Sequence, residues 1–396
     1  MSIKSTQPQN VSIKLIFFDT FLALFKRIDY LAKMENAMDF DKNSPYNDLP
    51  LLPPPTDIEN KAILKKAIKA NTALARLNGK ANLIPDPSIL LNNISLQEAK
   101  TSSEIENIFT THDSLFKAMS TNLKYMDSGT KEVIHYREAL LSGVQTIKES
   151  GLLTKNLLIN LANIINETSA GIRKHPGTKI MNNQGQVIYT PPEGETIILD
   201  KLDNLEKFIH NQDTIDPLIK CAVIHYQFEA IHPFADGNGR TGRILNLLYL
   251  VQQNLIAQPI LFLSKYLIRH KKDYNILLRN VTEKSEWEKW ILFFLTAIEK
   301  TSESTIETID SIFESFAYTV DRIKTGLPKI YTKELVELLY NKPYCKIQFL
   351  VQAGIAKRQT AGDYLMQLEA LGVLQSTQIG KEKIYINSEL LEILKK

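Results

Sequence analysis

Residues 231–243 hold the side chains in this chain that are best suited to chemistry. They read IHPFADGNGRTGR and combine a histidine, an aspartate, an asparagine and two arginines with three glycines. Apolar segments of helical character flank them on both sides. An ordinary core segment does not place so many polar and flexible residues inside a hydrophobic run. We therefore interpret this stretch as a catalytic loop.

The glycines and arginines of the loop predict an anion site. Gly237, Gly239 and Gly242 let the backbone turn tightly and approach a ligand without a Cβ in the way. The loop leads into a helix, and the free N–H groups and the dipole at a helix start attract anions. Arg240 and Arg243 add forked donors that suit phosphate oxygens.

Asp236 and His232 predict what happens at that site. Asp236 is the only carboxylate in the loop, and its expected role is to hold a divalent cation such as Mg²⁺ that bridges phosphates. His232 is followed by Pro233 and Phe234, which fix its backbone, and a histidine beside a phosphate site can act as a general base. A lone histidine at a helix end is more often structural. The complete set of residues instead predicts phosphoryl or nucleotidyl transfer.

Helices must position this loop. Asp216 and Pro217 supply an N-cap and a proline at the first helical position, and residues 218–230 are apolar on nearly every side, so a buried helix precedes the loop. An apolar helix over 244–253 follows it. Periodicity predicts further helices over 57–78, within 132–167 with a break near residue 151, over 287–298 and over 302–325. Residues 171–192 predict a β-hairpin around an Asn-Asn-Gln-Gly turn.

A new pattern of predicted elements begins after residues 326–328. Helices are predicted over 332–341, 346–352 and 357–371, followed by strands over 373–379 and 383–387, an order typical of a winged helix. Near the other end of the chain, the proline-rich residues 44–56 predict an extended segment along a domain surface.

Composition limits the class of protein. A length of 396 residues suggests two to three domains, and a net charge of +3 indicates neither a nucleic-acid nor a membrane protein. The two cysteines lie far apart in apolar contexts, which fits a reducing compartment and predicts a cytoplasmic protein. The apolar run 15–25 is shorter than the roughly 20 residues of a membrane span, and Asp19 interrupts it, so no span is expected.

Residues 232–243 resemble the signature HxFx(D/E)GNGRxxR of the Fic family with no departure. The similarity extends to the segments PLIKCAVIHYQFEAIHPF, WEKWILFFL and KRQTAGDYLMQLEALGVL and covers roughly residues 40–396. It implies a mainly α fold, with a Fic-type helical core, a β-hairpin flap, an N-terminal helical domain and a C-terminal winged-helix domain. The implied divisions are an N-terminal extension (1–37), the N-terminal helical domain (38–125), the catalytic domain (126–300), a linker helix (301–326) and the winged helix (327–396).

The resemblance implies transfer of AMP from ATP, with Mg²⁺, to a Ser, Thr or Tyr hydroxyl of a target protein or of the enzyme itself, with release of pyrophosphate. His232 would take the hydroxyl proton, and Asp236 would hold Mg²⁺ between the α- and β-phosphates. Arg243 would bind the γ-phosphate. The remaining phosphate contacts would come from Gly237, Asn238, Gly239 and Arg240.

The hairpin is similar to the flap of this family, which aligns a target segment by strand addition. A plain surface loop is the alternative interpretation. The flap residues implied are Thr178, Lys179, Ile180, Val187, Ile188 and Tyr189.

Residues 102–107, SSEIEN, resemble the inhibitory motif (S/T)xxxE(G/N) of the same family, with Ser102, Glu106 and Asn107 at its defined positions. Such a short match alone usually means a solvated polar turn. Together with the full signature, it implies that Glu106 pairs with Arg243 and keeps ATP out of its productive pose.

Several alternatives stay open at this stage. The chain could be a DNA-binding winged-helix regulator with a nucleotide-sensing or vestigial Fic domain, since residues 357–360 (KRQT) start the predicted recognition helix. Over the winged helix, residues 327–396, basic residues exceed acidic ones only slightly. This favours protein docking or a homodimer contact over DNA. The enzyme could mainly remove AMP from its target, or it could use another nucleotide or transfer phosphate.

Overall fold

The computed structural model describes residues 40–84, 86–120, 126–182, 184–379 and 382–395. The predicted extension 1–37 lies outside these residues. Helix accounts for 65% of the structure, which confirms the mainly α prediction.

The helices are α1 (Lys61–Ala81), α2 (Pro87–Ile105), α3 (His112–Ser120), α4 (Ser128–Ser150), α5 (Lys155–Ile165), α6 (Glu195–His210), α7 (Pro217–Ile231), α8 (Asn238–Gln252), α9 (Leu263–Arg269), α10 (Lys271–Lys284), α11 (Trp287–Gly326), α12 (Lys333–Asn341), α13 (Ile347–Gln352), α14 (Arg358–Ala370) and α15 (Ser388–Lys395). The strands are β1 (Ile180–Met181), β2 (Val187–Tyr189), β3 (Tyr344–Cys345), β4 (Gln375–Ile379) and β5 (Glu382–Ile386).

Helices α7 and α8 carry the predicted catalytic loop between them. The carboxylate of Asp216 accepts hydrogen bonds from the backbone N–H groups of Leu218 (2.9 Å) and Ile219 (3.3 Å), which caps α7 as the sequence predicts. Both helices are buried on almost every side. The loop is therefore held between two core helices.

One continuous helix, α11, replaces the two that the sequence predicts over 287–298 and 302–325. Thr301 and Ser302 are buried at the expected break, and the Thr301 hydroxyl donates to the carbonyl of Ala297 (2.7 Å). No Gly or Pro interrupts residues 298–302. The predicted boundary between a catalytic domain ending at residue 300 and a linker helix at 301–326 thus falls inside a single helix.

Helix α2 is missing from the sequence prediction, which has only a polar piece at 101–107 there. Its start is well defined, because the Asp86 side chain accepts from the Ser88 N–H (2.9 Å) and a proline occupies the first turn. Its buried face includes polar side chains such as Asn93 and Gln97, and this obscures the apolar periodicity. Helices α3, α6, α9, α10 and α15 are also absent from that prediction.

Two small sheets complete the fold. Strands β1 and β2 pair antiparallel, with Ile180 opposite Tyr189, so the predicted hairpin is present. The C-terminal sheet has the order β3-β5-β4 and lies with α12, α13 and α14, as expected for a winged helix. Strand β3 has only two residues, too few for a periodic signal.

The proline-rich segment packs against the catalytic region, although the 38–125 division groups it with the N-terminal helices. Tyr46 N–H donates to the carbonyl of Thr190 (3.0 Å), and Lys201 Nζ donates to the carbonyl of Leu49 (2.8 Å). Buried apolar side chains from Leu49 to Leu394 form one continuous cluster. Of the helices described, none is both long and apolar enough to cross a membrane.

Candidate active site

His232 ends helix α7 in a left-handed conformation, with φ 50° and ψ 59°. Its N–H donates to the carbonyl of Phe228 (3.0 Å), and Pro233 follows directly. Partial burial, assisted by the Arg173 guanidinium, lowers the pKa of His232 to about 4. The imidazole is therefore neutral near physiological pH and able to accept a proton.

The loop after His232 is closed by Asn238. Its Oδ1 accepts from the Phe234 N–H (2.8 Å), and its Nδ2 donates to the Phe234 carbonyl (2.8 Å). Both ends of the side-chain amide are thus committed to the loop. The residue can contribute to anion binding through its backbone N–H, because the first N–H groups of a helix have no partner within it.

At Gly237 and Gly239 an added Cβ would press on a neighbouring side chain. Gly237 has φ 77°, and an added Cβ would lie 2.8 Å from Asn166 Oδ1. At Gly239 an added Cβ would lie 2.3 Å from Glu106 Oε1. No side chain among the described residues caps α8, so the start of this helix is left without a side-chain acceptor, as an anion site requires.

Asp236 is the exposed member of the loop. Its side chain is 81% exposed, and its Oδ1 accepts from the Gly237 N–H (2.6 Å). Its Oδ2 lies 3.7 Å from Arg240 Nη2. One carboxylate oxygen therefore points away from the loop backbone.

Arg240 is held by two residues that the sequence analysis missed. Its Nη1 donates to Glu132 Oε2 (2.9 Å), and its Nη2 lies 3.4 Å from Asn166 Oδ1. The Asn166 amide also donates to the Asp236 carbonyl (2.8 Å). Glu132 lies on α4 and Asn166 at the end of α5, and neither has a sequence signal that links it to the loop.

Arg243 is buried beneath the end of α2. Its Nε donates to Ser102 Oγ (2.7 Å), and its Nη2 donates to the Ser102 carbonyl (2.9 Å) and to Glu106 Oε1 (2.8 Å). Burial opposes the ionised form of Glu106, but Arg243 keeps the pKa of that carboxyl below its usual value. Asn107 follows with φ 62° and ends the helix. The structure thus brings together the residues of the two motifs.

Two further acidic side chains near Arg243 have no part in either motif. Glu98 on α2 is fully buried and accepts from the N–H and hydroxyl groups of Ser264 and from Tyr136 OH (3.3 Å). Burial raises the pKa of Glu229, one turn before His232, to about 7. Glu229 Oε1 is buried without a hydrogen-bond partner in the part of the chain that the structure describes.

The hairpin lies against the end of α7. Tyr189 OH donates to the carbonyl of Ala230 (2.7 Å), and its ring stacks on Phe40. Thr178 and Lys179 precede β1, which begins at Ile180. Val187, Ile188 and Tyr189 form the partly buried β2. Four of the predicted flap residues therefore lie in a short two-stranded sheet near the histidine, and the other two directly precede it.

Three protein-family models match successive parts of this chain. Models described as "Fic/DOC family N-terminal" and "Fic/DOC family" match residues 64–145 and 152–250. A third, described as "Protein adenylyltransferase SoFic-like, C-terminal domain", matches residues 316–390. The three matches follow one another and together span more than half of the chain.

Two curated relatives match parts of the chain. A probable protein adenylyltransferase of Aquifex aeolicus is 29% identical over 130 residues, which is 33% of this chain and 35% of the relative. Protein adenylyltransferase fic-1 of Caenorhabditis elegans is 27% identical over 131 residues, which is 31% of this chain and 25% of the relative. The match thus spans about a third or less of each relative.

A solved structure supports the fold. The crystal structure of a Fic family protein from Desulfovibrio desulfuricans aligns with a TM-score of 0.55 and 18% identity, over 84% of this chain and 98% of that one. With the domain matches in order and the signature of residues 232–243 intact, the chain belongs to the Fic family.

Proposed function

We propose that this chain is a protein adenylyltransferase that moves AMP from ATP to a Ser, Thr or Tyr hydroxyl of a target protein. The observation that carries the proposal is the loop itself, in which a neutral histidine stands beside the uncapped start of α8 and two buried arginines. The names of the curated relatives agree with it.

The loop is suited to a magnesium ion that the phosphates of ATP largely hold. Among the described residues no group of three or more His, Cys, Asp or Glu side chains could bind a metal alone. Asp236 offers one exposed carboxylate, and Mg²⁺ typically takes one or two carboxylates with waters and substrate phosphates. Such an ion would supply neutralisation of phosphate charge.

The chain's own residues would perform the transfer. The His232 imidazole takes the proton of the target hydroxyl, whose oxygen forms a bond to the α-phosphorus. The bond from that phosphorus to the bridging oxygen breaks, and pyrophosphate leaves with the electron pair. Arg240 and the first N–H groups of α8 hold the phosphates in place.

The hairpin would present the target. Strands β1 and β2 form an isolated two-stranded sheet, and an extended peptide can add to an open strand edge. The bond from Tyr189 to Ala230 fixes this edge relative to α7, so a docked hydroxyl would have a defined position toward His232.

Glu106 would keep this site inactive by default. It occupies the guanidinium that the γ-phosphate of ATP would need, and its Oε1 would lie 2.3 Å from a Cβ added at Gly239. Exchange of a glutamate for a phosphate on Arg243 would therefore switch the enzyme on.

The test measures AMP incorporation by mass spectrometry after the purified protein is incubated with ATP and Mg²⁺. Glu106→Gly should raise self-modification on the order of tenfold, because it removes a charge-assisted hydrogen bond worth about 1.5–3 kcal/mol. Glu104→Gly is the matched control, since Glu104 pairs with Lys100 on the same helix and not with Arg243. Adding His232→Ala to Glu106→Gly should abolish the signal. Equal labelling by wild type and Glu106→Gly would refute the inhibitory role, and labelling without His232 would refute the base.

A further inference from the structure

Arg173 is a buried cation outside both family motifs, and it lies between β1 and α5 in the sequence. Only 7% of the residue is exposed. Within the described part of the chain, every hydrogen bond of its side chain goes to a backbone carbonyl. A buried charge is costly unless its hydrogen bonds are satisfied, so this placement needs a reason.

The contacts of Arg173 join two elements of the active site. Its Nε donates to the His232 carbonyl (2.8 Å), and its Nη2 lies 3.4 Å from the Ile231 carbonyl. The same Nη2 donates to the carbonyl of Pro192, which follows the hairpin. Its backbone N–H donates to the Pro233 carbonyl (3.0 Å). One guanidinium thus connects the end of α7 with the base of the hairpin.

The end of α7 needs such a partner for two reasons. The last carbonyls of a helix have no intrahelical donor and carry the negative end of the dipole, which a cation stabilises. His232 also has φ 50°, and a non-glycine residue in this conformation costs on the order of 1–3 kcal/mol unless its surroundings fix it. Arg173 supplies donors on both sides of that residue.

We infer that Arg173 is a positioning residue that holds the His232 backbone and the base of the hairpin in one fixed geometry. This inference rests on the proposed function, in which the histidine acts on a hydroxyl that the hairpin presents. A common support keeps the base and the docked segment in register, although they come from different elements.

The phosphate side of the site has a separate support. Glu132 and Asn166 hold Arg240, and Asn238 closes the loop. Loss of Arg173 should therefore disturb the chemical step without weakening ATP binding. This predicts a lower kcat at an unchanged KM for ATP.

The kinetic test uses Arg173→Met and Arg173→Lys in the Glu106→Gly background. Arg173→Met should lower kcat on the order of 100-fold, because a displacement of about 1 Å can cost that much, while KM for ATP stays within about twofold. Arg173→Lys keeps the charge but loses the fork, so an intermediate kcat is expected. Lys201→Met is the matched control, since Lys201 is also buried and donates to a carbonyl, that of Leu49, away from His232. An equal kcat loss in the control, or a parallel rise in KM for ATP, would overturn the inference.

A second measurement, hydrogen exchange, does not depend on AMP transfer by the variants. Hydrogen exchange should accelerate together at residues 230–236 and 187–193 in both Arg173 variants, and at residues 46–52 alone in Lys201→Met. If the Glu106→Gly protein transfers no AMP, the proposed function fails, and the exchange pattern still decides the role of Arg173. Unchanged protection at either of the first two segments would refute it.

Discussion

At the residue scale, the charge of each buried side chain in the site depends on whether it has a partner. Arg243 is 1% exposed and reaches Ser102 and Glu106, so its charge is satisfied before any nucleotide arrives. Glu229, close by, is in the opposite situation, because its buried Oε1 lacks a hydrogen-bond partner in the described chain. The pKa values follow this difference: that of Glu106 is lowered and that of Glu229 is raised.

Glu229→Gln should make stability less dependent on pH. Burial raises the pKa of Glu229 from 4.5 to about 7, so the folded protein keeps a proton that the unfolded chain releases in this range. Wild-type stability therefore falls as pH rises from about 4.5 to about 7, and the loss persists above it. The variant's advantage should grow by on the order of 1–2 kcal/mol between about pH 5 and about pH 8, below the full linkage value because the residue is partly exposed.

The measurement is thermal or urea unfolding of wild type and Glu229→Gln at both pH values. Glu314→Gln, which changes an exposed carboxyl on α11, is the control and should follow wild type. A pH-independent difference between Glu229→Gln and wild type would contradict the assigned ionisation.

At the scale of elements, α2 contacts Arg243 through its last turn. Ser102 and Glu106 stand four positions apart, so they lie on the same face of the helix end and reach the same guanidinium. Ser102 contributes both its hydroxyl and its carbonyl. The proposed inhibitory contact thus depends on how this helix packs against α8.

Ser102→Ala should weaken the proposed inhibition in part. It removes the acceptor of Arg243 Nε but leaves the Ser102 carbonyl and Glu106, so AMP incorporation should rise roughly threefold, below the gain of Glu106→Gly. Ser103→Ala is a close control, because Ser103 is equally buried and its Oγ has no partner among the described residues. AMP incorporation measured by mass spectrometry should therefore be highest for Glu106→Gly, lower for Ser102→Ala and lowest for Ser103→Ala. A larger gain from Ser103→Ala would show that the helix, and not the Arg243 contact, is responsible.

At the scale of the whole molecule, the winged helix is packed directly on α2. Asn93 Nδ2 donates to the Tyr340 carbonyl (3.0 Å), and Ser88 Oγ donates to Asn341 Oδ1 (2.7 Å). Gln97 donates to the carbonyl of Leu394, at the other end of the C-terminal region. The helix that carries Glu106 is therefore held by a part of the chain far from the active site.

Asn341→Ala should loosen this contact. It removes the bonds from Asn341 to Ser88 and Asp86, so hydrogen exchange across residues 87–105 should accelerate. AMP incorporation should rise with it in the wild-type background and stay unchanged in the Glu106→Gly background. Gln375→Ala, an exposed change on β4, should alter neither. Faster exchange without an increase in labelling would separate the winged helix from the proposed inhibition.

Features that depend on local sequence were predictable. The N-cap at Asp216, the buried helix that follows, the glycine loop and the hairpin each leave a local trace in residue type or spacing. The signature of residues 232–243 also identified the family. By contrast, α2 was missed because its buried face carries amides, and the break expected near residue 300 proved to be continuous helix.

The sequence by itself therefore determined the position of the loop, the chemistry to be expected of it and the mainly α class of fold, since glycines, caps and apolar periods act between near neighbours. The tertiary structure decided which side chains support that loop. Arg173 and His232 are 59 positions apart, Arg240 and Glu132 are 108 apart, and Arg243 and Glu106 are 137 apart. The Glu106 pair was anticipated only through a family motif. The other partners had no local signal, because a hydrogen bond between distant segments exists only once packing has brought them together.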